Sequence, residues 1–130
     1  MTSNYLLRYS VLLFAVNVHF ARGDLLYHTA CIVLTCSSII RHYCAYVTPA
    51  IALVDRVVAH LCYALCMHTH LIEAPNTAGA IYLALVLGLW IYEHRISDWA
   101  RAHVVLHIVA FLGILRATVV RVQPITVTDM

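Results

Sequence analysis

Two imidazoles four residues apart, His103 and His107, lie inside one apolar run, and Ser38 and His42, at the same spacing, close another. Residues four apart share a face of a helix, so His103 and His107 can share one metal ion and Ser38 sits one turn below His42. Asp55 falls between the two pairs, giving the order Ser38-x-x-x-His42, Asp55, His103-x-x-x-His107. Three neutral imidazoles on a zinc ion leave a fourth position open for water, the arrangement of a catalytic site and not of a structural one. Each residue alone also fits a scattered polar group of a helical bundle. The ordered set is what points to a metal.

The elements that must position these residues are apolar. The chain of 130 residues is 63% hydrophobic and 11% charged, with a mean hydropathy of +0.86. Soluble domains carry roughly 25% charged residues, so the composition implies an all-α, polytopic transmembrane bundle. A net charge of +2, all eight basic residues being Arg, gives no basis for a nucleic-acid partner. The five cysteines (Cys31, Cys36, Cys44, Cys62 and Cys66) form no paired CxxC motifs. A disulfide framework is not expected where membrane helices supply the fold, and the cysteines read as small polarizable packing residues, with a thiolate metal ligand as the alternative.

Five apolar segments are expected, near 5–20, 25–42, 50–71, 78–92 and 102–120, followed by a polar tail over 121–130. Arg22-Gly23-Asp24, Pro49, Glu73-Ala-Pro-Asn76 and Ile96-Ser-Asp-Trp99 separate them. Ser97 or Asp98 is placed to cap the last helix. Trp90, Tyr92 and Glu93 read as an interfacial signature. The third and fifth segments reach the roughly 17–25 residues that a spanning helix needs, and the others are shorter. The first also resembles a signal peptide with a weak cleavage site at Phe20-Ala21, which would leave four helices. With five crossings Arg8, Arg41, Arg95 and Arg101 lie on one side, and Arg22 and Arg121 on the other. That asymmetry favours a cytoplasmic N-terminus without identifying the membrane.

His28, Cys31, Thr35, Ser38 and His42 follow one another at spacings of three and four, a continuous polar stripe on the second helix. In lipid such a stripe faces other helices or an internal cavity. It reads equally as interhelical hydrogen bonding or as the wall of a site. On the third helix Asp55 is costly unless partnered. A metal-bound water or a ligand imidazole would serve, as would a helix cap or an ion pair with Arg41. Arg56 points elsewhere on that helix. His60 lies about 140° from Asp55 around the helix and is left out of the site. His68 and His70 cannot face one site together and are expected at the interface. His19 and His94 sit at segment ends without a resolved role.

Taken in order, Ser38-x-x-x-His42, Asp55 and His103-x-x-x-His107 on successive helices resemble the CREST superfamily, which includes alkaline ceramidases and adiponectin-receptor-like proteins. The resemblance covers five positions from Ser38 to His107. It implies His42, His103 and His107 as zinc ligands, with Ser38 and Asp55 beside the zinc-bound water as catalytic partners. It further implies hydrolysis of a lipid amide to a fatty acid and an amine. Members have seven helices, with three apolar segments between the aspartate and the last motif where this chain has one. By that resemblance the expected activity is a compact intramembrane zinc amidohydrolase of ceramide-like or N-acyl lipids, with Asp55 moving the proton and Ser38 donating to the oxyanion. Two other classes fit the composition. One is a non-catalytic accessory subunit packing its polar stripe against partners in a larger membrane complex or homo-oligomer. The other is a haem b protein using histidines from facing helices. A channel or transporter is the remaining class, and nothing like a selectivity filter is visible.

Overall fold

A computed structural model describes residues 2–44, 46–96 and 99–122, and among these every element is helical. Helix α1 (Thr2–Val11) continues into α2 (Leu13–Phe20) and a 3₁₀ turn (Ala21–Gly23). Four longer helices follow: α3 (Leu25–Tyr43), α4 (Pro49–His68), α5 (Thr77–Glu93) and α6 (Trp99–Val122). A π turn over Thr69–Glu73 extends α4. Since α1 and α2 occupy the first apolar segment, the chain forms the five expected rods, each where an apolar run places it. The break at Leu12 is tightened by the Leu12 amide donating to the Tyr9 carbonyl at 3.1 Å. Two residues earlier the Ser10 hydroxyl donates back to the Leu7 carbonyl at 2.7 Å, a side-chain competitor of the kind that bends helices.

The helix starts are fixed by short polar side chains that accept orphan backbone N–H groups. Asp24 accepts from the Tyr27 amide at 3.2 Å, Thr48 from Ile51 at 3.2 Å with Pro49 in the first turn, and Asn76 from Gly79 at 2.6 Å. Thr48, and not Asp55, therefore caps α4. The cap expected at Ser97 or Asp98, and the polar tail past Val122, lie outside the described residues.

Helix α6 is the spine of the bundle. It packs along α5 on one side and along α1 and α2 on the other, while α3 lies across α1–α2 and carries α4. The core joins Phe14, Tyr27, Cys31, Leu34, Cys62, Cys66, Leu83 and Ile114. All five cysteines are free thiols, and Cys31, Cys62 and Cys66 serve as apolar filling. Two helices, Pro49–Glu73 and Trp99–Arg121, are long and apolar enough to cross a membrane, and α5 is a shorter apolar helix. Helix α4 touches α5 and α6 only sparsely, and its outer face exposes Leu53, Val54, Val57 and Leu61. The gap between α4 and α5 opens the interior toward one flank of the bundle.

Candidate metal centre

The stripe on α3 faces inward: Cys31, Thr35 and Ser38 are buried, and His28 and His42 at its ends are half-buried. Its last turn carries His42 against the first turns of α6. There His42, His103 and His107 each offer a nitrogen, and these atoms all lie within 4.8 Å of one another. The rings stand at centroid separations of 5.4 Å (His42 to His103), 5.3 Å (His42 to His107) and 4.4 Å (His103 to His107). Phe14 and Trp99 flank them, edge-on to His107 and His103.

Hydrogen bonding fixes which nitrogens are available. The Ser10 oxygen lies 2.8 Å from His107 Nδ1, and the single Ser10 proton is already directed to the Leu7 carbonyl. With that proton on the Leu7 carbonyl, Ser10 accepts, His107 carries its proton on Nδ1 and Nε2 is left bare. A carboxylate only accepts, so Glu93, 2.8 Å from His103 Nδ1, fixes the same tautomer there. Glu93 and His103 are both largely screened from solvent, with side chains 9% and 11% exposed. His42 Nε2 is buried without any hydrogen-bond partner. Among the described residues the only other such side-chain atom is Asn17 Oδ1, in mid-bundle. A buried orphan acceptor is costly, and here it is one of three imidazoles converging on one point. The donor set therefore fits a borderline-soft ion such as zinc: three neutral imidazoles, two of them oriented by a hydroxyl and a carboxylate of the kind that orient metal-bound histidines.

Asp55 is placed differently from the expectation of a water or imidazole partner. Its Oδ1 accepts from Ser37 at 3.0 Å and from Ser38 at 3.1 Å, and its Oδ2 receives Arg41 Nη1 at 3.1 Å. The ion pair with Arg41, one of the open alternatives, is thus the one observed. It is physically sensible: a carboxylate 5% exposed on an apolar helix is compensated by one guanidinium and two hydroxyls. Ser38, 3% exposed, meets Asp55 and, one turn on, precedes His42.

Beside the histidines lies a cavity of about 480 Å³ with mostly apolar walls, within the usual range for small-molecule sites. Ser38, Arg41, Asp55, Glu93, His103 and His107 line one part of it, and His70 lines another. One expectation, the placement of His70, is corrected here, and His60 stays outside the metal-ligating group. His60, set aside on helical angle, also lines this cavity, its ring edge-on to Trp90 of α5 at 5.4 Å. His70, expected at the interface, is 1% exposed, with Nε2 donating to the Gly113 carbonyl and Nδ1 accepting from Asn76. The two histidines do point to opposite sides: His70 turns inward at the start of the π turn, while His68 stays exposed beside Glu73.

Ser10, Ser37 and Glu93 were not singled out from sequence. Glu93 carried a visible signal, a carboxylate at the end of an apolar helix, but it reads equally as an interfacial charge. Compared with known family models, curated proteins and solved structures, the chain matches none.

Proposed function

We propose that this chain is a multi-pass membrane protein, with its N-terminus on the cytoplasmic side, that binds zinc and hydrolyses a lipid amide. One observation carries the reading. Three imidazoles converge, two with Nε2 left bare by Ser10 and Glu93 and the third with a buried, unpartnered Nε2. A zinc ion at that point would supply a Lewis acid and bring the pKa of coordinated water to about 7.

The remaining work falls to the chain itself. In this reading Asp55 takes a proton and returns it to the leaving nitrogen as the acyl C–N bond breaks and water oxygen joins the acyl carbon. Arg41 balances its charge. Ser38 donates to Asp55 in the structure, so serving the substrate oxygen requires its proton to turn about the Cβ–Oγ bond. Ser37, whose proton is shared with the Leu34 carbonyl, then remains beside Oδ1. The apolar cavity receives the acyl chain, and the gap between α4 and α5 admits it from the side.

Metal analysis of the purified full chain is expected to give about one zinc per molecule, and a His103→Ala/His107→Ala double variant none. Absence of zinc from the parent protein, or its retention in the double variant, sinks the proposal. A second reading draws on the sparsely covered α4: an accessory subunit whose open flank a partner closes. A monodisperse, folded, zinc-bearing protein in detergent supports the enzyme. Loss of folding outside a larger assembly supports the subunit.

A further inference from the structure

Of the two guanidiniums that line the cavity, Arg41 is paired with Asp55, whereas Arg56 has no hydrogen-bond or ion-pair partner among the described residues. The lining carboxylates cannot serve it. Asp55 is held by Arg41 and two serines, and Glu93 is turned to His103. The other described acids, Asp24 and Glu73, are bound to Arg121. Arg56 thus presents an uncompensated, exposed charge on α4, next in sequence to Asp55.

Its surroundings form the passage between α4 and α5. His60, one turn on, holds its Nδ1 proton on the Arg56 carbonyl at 2.7 Å and meets the Trp90 ring, and Trp90 stacks edge-on to His94 at 4.8 Å. All four residues line the same cavity as His103 and His107. Trp90 contributes an indole donor, and Arg56 a planar fork suited to two oxygens of one anion. Nothing acidic in this group opposes an anionic ligand.

We propose that Arg56 is a specificity-determining residue that binds a carboxylate carried by the lipid amide itself. The substrate class is then an N-acyl amino acid, with the acyl chain in the apolar cavity and the carboxylate at Arg56. The substrate assignment rests on the hydrolase reading, but the anion site does not require the metal. A charge-assisted, two-oxygen contact on this exposed guanidinium favours the anion over a neutral analogue by about fivefold.

The test is binding to the purified full chain in neutral detergent, read by tryptophan fluorescence, since Trp90 and Trp99 both line the cavity. N-oleoylglycine is compared with N-oleoylethanolamine, which keeps the chain and amide and lacks the charge. The parent protein should bind N-oleoylglycine about fivefold more tightly, Arg56→Gln should lose that preference while holding N-oleoylethanolamine unchanged, and Arg56→Lys should keep part of it. Equal binding of the two lipids by the parent protein overturns the proposal, as does a preference that survives Arg56→Gln. Inorganic phosphate alone binding as tightly as N-oleoylglycine also overturns it, because Arg56 would then be a small-anion site. The His103→Ala/His107→Ala variant separates the two readings. It should retain the preference for N-oleoylglycine without zinc, whereas a preference lost there and kept in Arg56→Gln would place the carboxylate at the histidines instead.

Discussion

The two ends of the helical bundle hold similar residue types and use them in opposite ways. At one end Arg121 of α6 bonds Asp24 at the start of α3 and Glu73 at the end of α4. His70 has both ring nitrogens engaged there, and Tyr27 meets Thr69 at 2.5 Å. Polar groups at that end have partners within the protein, and they tie together α3, α4, α5 and α6. At the other end, where α3 finishes and α6 begins, three histidines converge with one buried nitrogen unpartnered. A buried histidine with both nitrogens satisfied is a structural clasp, whereas a cluster with aligned bare nitrogens calls for something from outside the chain. Histidine content alone could not separate the two, and hydrogen-bond accounting does.

The largest effect expected from that contrast is a crossed one. His103→Ala/His107→Ala should abolish zinc binding in a protein that still folds in detergent, with a lowered unfolding temperature because Glu93 is stranded and two buried rings are lost. Arg121→Gln should cost about 1–3 kcal/mol of stability, by stranding two carboxylates, and leave zinc at one per chain. Zinc loss in Arg121→Gln under conditions where it remains folded would show that the two ends are not independent.

The next effect is smaller and probes how the site is aimed. Ser10→Ala removes the acceptor of the His107 Nδ1 proton, and Glu93→Gln removes the charge beside His103. Each should weaken zinc affinity by about 10- to 100-fold, the range seen when partners of metal-bound histidines are altered. Competition with a chromophoric chelator measures it. Unchanged affinity in both variants would mean that Ser10 and Glu93 hold helices together and do not orient ligands.

These two residues also show where sequence reading stops. The rods were legible because apolar runs broken by Pro49 and by the Glu73–Asn76 loop leave little freedom in helix placement. The α3 stripe was legible because its spacing of three and four is a local property. The pairing of Ser10 with His107 spans 97 positions, and nothing near Ser10 distinguishes it from any small hydroxyl in an apolar run. Asp55 had several admissible partners, and only the packing of α3 on α4 selects Arg41, Ser37 and Ser38. His70 was misplaced because it stands near the end of its apolar segment, and only packing against Gly113 and Asn76, 43 and 6 positions away, turns it inward.

At the closed end, packing around His70 leaves no slack. A Cβ on Gly79 would lie 2.0 Å from His70 Nδ1, so Gly79→Ala must displace a buried, doubly bonded imidazole. A loss of about 1–3 kcal/mol is expected, read as a lower unfolding temperature with zinc stoichiometry intact. Gly88, whose added Cβ would meet nothing within 4 Å, is the control: Gly88→Ala should be neutral or slightly stabilising. Equal effects at the two glycines would contradict the close approach of α5 to the π turn.

The smallest expected effect is a pH dependence confined to the closed end. Burial pushes the Asp24 carboxyl upward, but the hydrogen bond from Arg121, the Tyr27 amide and the guanidinium charge outweigh it and hold it below its ordinary value of 3.8. A folded-state pKa below the unfolded one means that the unfolded chain takes up the proton more readily, so this contribution is complete above the ordinary aspartate value and fades as pH falls through the folded one. Asp24→Asn keeps a competent helix cap and removes only the titrating charge. In neutral detergent the parent protein should unfold about 2 °C higher than Asp24→Asn at pH 7, and the two should converge near pH 3. Since Glu73 shares Arg121 with Asp24 and His68 lies against Glu73, the difference between the two proteins, and not either curve alone, isolates Asp24. A gap that persists at pH 3 would assign the effect to packing and remove charge from the account of this clasp.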